Sequence, residues 1–187
     1  MRRDVDTAGG ADSHWPEIEF RQAQSSVASD FKKSMRNLAA GVSVVTVGTG
    51  SQASGFTATS VVSLSVDTPT LLVSLNREST NWPLIQTSRR FAVNILSATH
   101  LEIAETFAGR RGVKGIDRYI DPNWQMGAGR VPYLLDALAV IECDLEEALP
   151  RYSHAILIGR VVNVLAKSTQ SPLVYWQGGY NRLCSEG

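Results

Sequence analysis

Hydroxyl side chains crowd residues 57–80, among them Thr57, Thr59, Ser60, Ser63, Ser65, Ser74, Ser79 and Thr80. They surround an apolar strand candidate, Thr70 to Leu75. Hydroxyls and backbone N–H groups are neutral donors and acceptors. Such a set suits a ligand that combines ring heteroatoms, a polyol and a phosphate. Ser79-Thr80-Asn81 then opens a helix, whose first turn offers N–H groups and a positive dipole end to an anion. The competing reading is plain: the same Ser and Thr residues decorate strands and cap a helix.

The elements around this stretch follow from pattern. Ser29 or Asp30 caps a helix running to about Leu38, with Phe31, Met35 and Leu38 on one core-facing side and Gly41 ending it. Val42 to Val47 is β-branched and reads as a strand. Gly48-Thr49-Gly50-Ser51 turns the chain, and a return strand through Gln52 to Thr57 makes a hairpin that delivers Gly55 and Thr57 to the sheet's end. Asp67-Thr68-Pro69 is a further turn. Pro83 fits the first turn of the helix that follows Asn81 and ends near Ser88. Phe91 to Leu96 is a strand and Thr99 to Phe107 a helix. A basic loop, Gly109 to Lys114, is either solvated charge or a cation meeting an anionic ligand.

Residues Tyr119 to Tyr133 look loop-like, with Pro122, Gly127, Gly129 and Pro132. Leu138 to Glu147 alternates with period two, placing Ala139, Ile141, Cys143 and Leu145 on one side. Tyr152 to Leu165 is a long apolar strand expected to be covered on both faces. Leu173 to Trp176 is a short final strand, followed by a Gly178-Gly179-Tyr180 turn. Six or seven strands with a few helices predict a mainly β chain: a mostly antiparallel β-barrel with peripheral helices, closure being one way to remove sheet edges.

Composition excludes several classes. Lys plus Arg and Asp plus Glu are 18 each, so the formal net charge is zero. A nucleic-acid or membrane-surface binder would need a basic excess. The two cysteines, Cys143 and Cys184, have no metal-like spacing, so no metal site and a reducing, cytoplasmic setting are expected. Arg2-Arg3 lacks the apolar core of an export signal. Residues 1–28 read as a mobile tail in which Trp15-Pro16 docks on a neighbour, and residues 29–187 as one domain.

Six motifs in order resemble the flavin reductase-like family: Gly-Phe-Thr-Ala-Thr-Ser from Gly55, Ser-Val-Asp-Thr-Pro from Ser65, Leu-Val-Ser-Leu-Asn from Leu72, Phe-Ala-Val-Asn-Ile-Leu from Phe91, Ile-Gly-Arg-Val from Ile158, and Gly-Gly-Tyr-Asn-Arg-Leu from Gly178. These are the short reductases that supply reduced flavin to two-component monooxygenases. The resemblance runs from about Phe31 to Leu183. It implies an FMN-binding split β-barrel and a homodimer. It implies that Phe56, Thr57, Ala58, Thr59 and Ser60 contact flavin largely through backbone. Ser74, Leu75 and Asn76 would line the ring and ribityl side, and Ser79, Thr80 and Asn81 would hold the phosphate. His154 would stand near the nicotinamide and Tyr180 near the flavin.

The implied activity is NAD(P)H-dependent reduction of FMN, with FAD as a possible flavin. No clamp for a 2′-phosphate can be assigned, which favours NADH over NADPH. The basic loop reads Val-Lys-Gly-Ile-Asp where relatives often place Lys-Phe, so no role passes to Lys114. Two alternatives carry different chemistry: a reductase of another acceptor such as corrin-bound cobalt, and a non-catalytic flavin-binding protein. NADH oxidation with added flavin separates an enzyme from a carrier.

Overall fold

The computed structural model describes residues 17–125, 131–166 and 170–183. The chain divides into two units, residues 1–38 and 39–187. In the first, α1 spans Glu17–Met35. It therefore starts well ahead of Ser29 and runs through much of the expected tail, where Glu17, Gln22, Ala23 and Gln24 are good helix formers. Val27, Phe31 and Met35 form a four-residue-spaced apolar stripe, yet all three are exposed, as is Leu38 beyond the helix end. The expectation of a core-facing helix is thus corrected. Trp15-Pro16 and Cys184 lie outside the described residues.

In the second unit the strands are β1 Ala40–Gly41, β2 Ser43–Val47, β3 Ser54–Ala58, β4 Val61–Ser65, β5 Thr70–Asn76, β6 Arg90–Ile95, β7 Trp124–Gln125, β8 Tyr133–Leu134, β9 Ala139–Arg151, β10 His154–Ala166, β11 Leu173–Trp176 and β12 Gly179–Arg182. Two helices accompany them, α2 Asn81–Ser88 and α3 Leu101–Phe107. Every strand pair is antiparallel. A seven-stranded sheet has the order β3-β2-β6-β9-β10-β5-β4, and β1-β11-β12 form a smaller one. Gly41, expected to end a helix, instead pairs with Val174 in that smaller sheet. The two sheets meet where Val42 N–H donates to Leu173 O and Leu173 N–H to Leu96 O, both at 2.9 Å.

The large sheet is covered on both faces where β2 and β6 run. Val45, Val47, Val73, Leu75, Phe91, Val93, Cys143, Leu145 and Leu157 fill one core with Ile85 of α2. Val42, Val44, Ala92 and Leu96 meet Ala104 and Phe107 of α3, Trp124 and Leu134 on the other. The alternation read in β9 holds: Cys143 and Leu145 point into the first core. Burial there, aided by the neighbouring Asp144 and Glu142, pushes the Cys143 thiol up to about 12, so it serves as a small apolar residue. β10 differs from expectation. His154, Ile156, Arg160, Val162 and Val164 alternate outward and are exposed, because no layer among the described residues packs over that face. No described helix is long and apolar enough to cross a membrane.

Gly159 shows how tightly this core closes. A Cβ there would lie 2.4 Å from Phe91 Cζ and 3.0 Å from Cys143 Cβ. Phe91 is fully buried and has nowhere to move. Gly159→Ala should therefore cost about 1–3 kcal/mol of unfolding free energy by overpacking. A urea titration of the two proteins checks this; an unchanged midpoint would show that the ring can shift.

Candidate functional site

β3 leaves the sheet at Ala58, and Thr59 and Ser60 follow before β4 begins. β3 is an edge strand. Its Phe56, Thr57 and Ala58 pair with Val45, Val44 and Ser43 of β2 on one side, and the other side has no strand partner among the described residues. An edge offers backbone N–H and C=O groups to another molecule. Ser60 ties this stretch to β5: its Oγ accepts from Ser74 N–H at 3.2 Å and lies 3.4 Å from Ser74 O. Thr59 and Ser60 are exposed and Ser74 is half-buried.

The end of β5 turns into α2 through side-chain to backbone bonds. Asn76 Oδ1 accepts from Glu78 N–H at 2.9 Å. Ser79 Oγ accepts from Asn81 N–H at 3.2 Å and from Asn81 Nδ2 at 2.8 Å. Ser79, not Thr80, thus provides the side-chain bond at the helix start; Thr80 makes no capping bond and is exposed. Asn81 also donates from Nδ2 to Gly55 O at 3.2 Å and is only 3% exposed. It braces α2 against β3. Its Oδ1 is buried without a hydrogen-bond partner.

Several predicted contacts have structural duties. The Thr57 hydroxyl donates to Ala104 O at 2.7 Å, fixing β3 to α3. The Leu75 side chain is in the core, and Ala58 is buried beside it, so neither side chain presents to a ligand. Phe56 packs partly on the same core. The residues whose polar groups stay at the surface are Thr59, Ser60, Asn76, Thr80 and, half-buried, Ser74 and Ser79.

His154 joins this group through sheet register. It opens β10 and is paired with Asn76 of β5. It is exposed, and its Nδ1 is 2.9 Å from Ser153 Oγ. Tyr180 belongs to the smaller sheet. Its ring meets Tyr175 edge-on at 5.3 Å, and the Arg110 guanidinium sits 5.1 Å from its centroid. Burial raises the Tyr180 hydroxyl pKa, and Arg110 opposes that rise. The basic loop is therefore partly committed: Arg110 to Tyr180, and Arg111 to Glu102 at 3.2 Å and Glu105 at 3.6 Å.

Sequence reading missed Arg118 and Tyr119. They sit in and at the end of a short 3-10 turn, Gly115–Tyr119. Arg118 donates to Gly55 O at 2.7 Å and Val113 O at 3.0 Å. Tyr119 donates to Ser54 O. No periodic pattern marks such residues, because a short turn has no period to read. The described residues contain no group of three or more His, Cys, Asp or Glu side chains able to hold a metal.

Comparison with known proteins bears on this arrangement. The flavin reductase like domain family matches residues 35–183. The reductase component of an FADH(2)-dependent resorcinol hydroxylase from Rhizobium sp. (strain MTP-10005) is 34% identical over 84% of this chain and 88% of its own. An FMN reductase (NADH) RutF from Cronobacter turicensis is 31% identical over 82% of this chain and 91% of its own. Among solved structures, BorF, the flavin reductase component of a bacterial two-component tryptophan halogenase, is 29% identical with a TM-score of 0.76, covering 83% of this chain and 98% of its own. The expected mostly antiparallel split barrel agrees with these relatives.

Asn81 tests the division between bracing and ligand contact. Asn81→Ala removes both Nδ2 bonds and leaves the Gly55 carbonyl to Arg118 alone. The ligand-free protein should lose about 1–3 kcal/mol of stability, read by urea unfolding. A variant as stable as the parent would show that Asn81 does not brace the fold.

Proposed function

The chain belongs to the flavin reductase-like family, and on that premise we propose that it carries hydride from NADH to FMN and hands reduced flavin to a partner monooxygenase. The observation that carries the assignment of residues is the convergence of three stretches at one end of the sheet. Thr59-Ser60 and Ser74 to Asn76 are joined by the Ser60–Ser74 bond, and the start of α2 is tied to β3 by Asn81 and Gly55, with His154 on the strand adjoining β5. The donor set fits the group: neutral hydroxyls and amides for the ring and polyol, and a helix start for the phosphate.

When bound, the flavin supplies the redox-active ring. The chain supplies binding, orientation and shielding from water. The backbone of Phe56 to Ser60 and the polar groups of Ser74 and Asn76 hold the ring and its polyol. Ser79 and Thr80 hold the phosphate at the head of α2, where the dipole adds about 0.3–1 kcal/mol at an exposed site. His154 orients the nicotinamide, donating from its ring to the amide or a phosphate oxygen. Tyr180 contributes an aromatic face from the smaller sheet. For a direct hydride transfer between the two nucleotides, orientation would be the chain's main contribution. The relatives' names include FMN reductase (NADH), which supports that pair of nucleotides. The catalytic unit of this reading is residues 29–187, working in the cytoplasm.

A homodimer belongs to the same reading. Register puts Val62, Leu72 and Ile158 on one face of the large sheet. Val62 is 57% exposed, Leu64 54% and Ile156 39%. An apolar stripe across three paired strands suits a second copy of the chain.

Two outcomes are expected. His154→Ala should lower NADH-dependent FMN reduction about tenfold, or roughly 1.4 kcal/mol of transition-state stabilisation. FMN affinity and melting temperature should stay at parental values. Early melting, or loss of FMN binding, would make the residue structural; an unchanged rate would remove it from the nicotinamide site. In sedimentation, the parent should run as a dimer at micromolar concentration and Val62→Glu as a monomer. A monomeric parent would refute the dimer.

A further inference from the structure

β9 and β10 are joined by two residues, Tyr152 and Ser153. Tyr152 has φ +51°, a left-handed conformation that bulky side chains avoid and that Gly or Asn adopts more cheaply. Its side chain is 95% exposed, so packing within the chain does not offset the strain. Arg89, another non-glycine residue with positive φ, shows what compensation looks like. It closes α2, and its guanidinium donates to Leu145 O at 2.7 Å and Glu146 O at 2.9 Å. Tyr152 instead carries its ring into solvent from a backbone in the left-handed region, and backbone strain of this kind gathers at ligand sites.

The tip is braced. Arg77, at the end of β5, donates its N–H to Ser153 O at 2.9 Å and from its guanidinium to Tyr152 O at 3.0 Å. The ring is thus presented from a fixed backbone, with His154 two residues on. Arg151 precedes the ring in the chain, its guanidinium donating to Pro150 O at 2.7 Å. An exposed aromatic ring in a segment that also carries two arginines offers a purine base a face to stack on and a diphosphate positive charge. We propose that Tyr152 is a specificity-determining residue whose ring stacks on the adenine of the reduced nicotinamide nucleotide, while Arg77 and Arg151 supply charge for its diphosphate. This rests on the reading of His154 as the nicotinamide-side residue.

The test compares two hydride donors at saturating FMN: NADH, and reduced nicotinamide mononucleotide, which lacks the adenosine half. Tyr152→Asn keeps a residue that accepts the left-handed backbone and removes the ring. It should lower kcat/KM for NADH about tenfold, mostly through KM, and leave the mononucleotide unchanged. Tyr152→Trp should retain NADH use. The melting temperature of Tyr152→Asn should equal or exceed the parent's, so that a folding defect does not explain the loss. Equal losses with both donors, or no loss with either, would overturn the proposal. So would equal losses accompanied by a change from dimer to monomer in sedimentation, which would assign the ring to a second copy. Failure of the underlying reading has its own signature: His154→Ala would leave the mononucleotide rate at the parental value, whatever the Tyr152 variants do.

Discussion

Two residues join the opposite edges of the large sheet. β3 and β4 stand at the two ends of the order β3-β2-β6-β9-β10-β5-β4, yet only Thr59 and Ser60 separate them in the chain. An extended chain advances at most about 3.3–3.6 Å per residue, so the edges must lie within roughly 11 Å of each other along this link. A flat sheet of seven strands at about 4.8 Å spacing could not satisfy that. The sheet has to curl almost to closure. Register shifts in the longest strand pair, between Ile158 and Gly159 and between Val161 and Asn163, are the places where it bends. The seam of the curl is the stretch proposed for flavin, and Ser60 continues the β4–β5 ladder beside it, one position beyond the Val61–Val73 pair.

The seam is held from behind by polar bonds onto β3. Gly55 has no room for a Cβ, which would sit 2.8 Å from Val45 O and 2.9 Å from Phe107. Its carbonyl accepts from both Asn81 and Arg118, while Ser54 O accepts from Tyr119 and Thr57 donates to Ala104 O. Three separate segments, α2, α3 and the 3-10 turn, therefore converge on a five-residue strand. Unmade, each of those buried groups would cost about 1–3 kcal/mol. The result is an edge strand with a rigid position and an open outer rim. Such an edge can hold a ligand by backbone without ordering itself on binding.

How much of this could be read beforehand depended on period. β2, β5, β6 and the start of β9 were legible because their β-branched and alternating residues repeat every two positions. The turn at Asp67-Thr68-Pro69 and the helix after Asn81 were legible from turn and capping chemistry. β4 is not legible, because Val61 to Ser65 mixes apolar and hydroxyl residues with little contrast; its outward Val62 and Leu64 are apolar where solvent would ask for polar ones. The outer face of β10 is illegible for the same reason. Apolar residues on a face left open in one chain look identical, in sequence, to residues under a covering layer. At the site, the hydroxyl stretch stood out by composition. The duties of Leu75 in the core, Asn81 as a brace and Arg118 as a clamp did not, because they depend on contacts between segments far apart in the chain.

The partition of residue types at the seam follows from what each location can tolerate. Next to β3, the buried Asn81 and the half-buried Arg118 donate to backbone carbonyls that the fold supplies. The rim takes small hydroxyls, whose rotors cost little to order and which keep water as a partner when no ligand is present. A charged rim would favour one end of a ligand at the expense of the other. On the proposed reading, a neutral rim with a helix start at one side separates the tasks, leaving the phosphate to α2 and the ring to the edge of β3. His154 then has to reach the same end of the sheet from the far side of β5. Antiparallel pairing with Asn76 brings it there, because the first residue of β10 must face the last residue of β5. The relation between histidine and rim is thus a matter of strand register, and a one-residue slip of β10 would turn the imidazole to the opposite face.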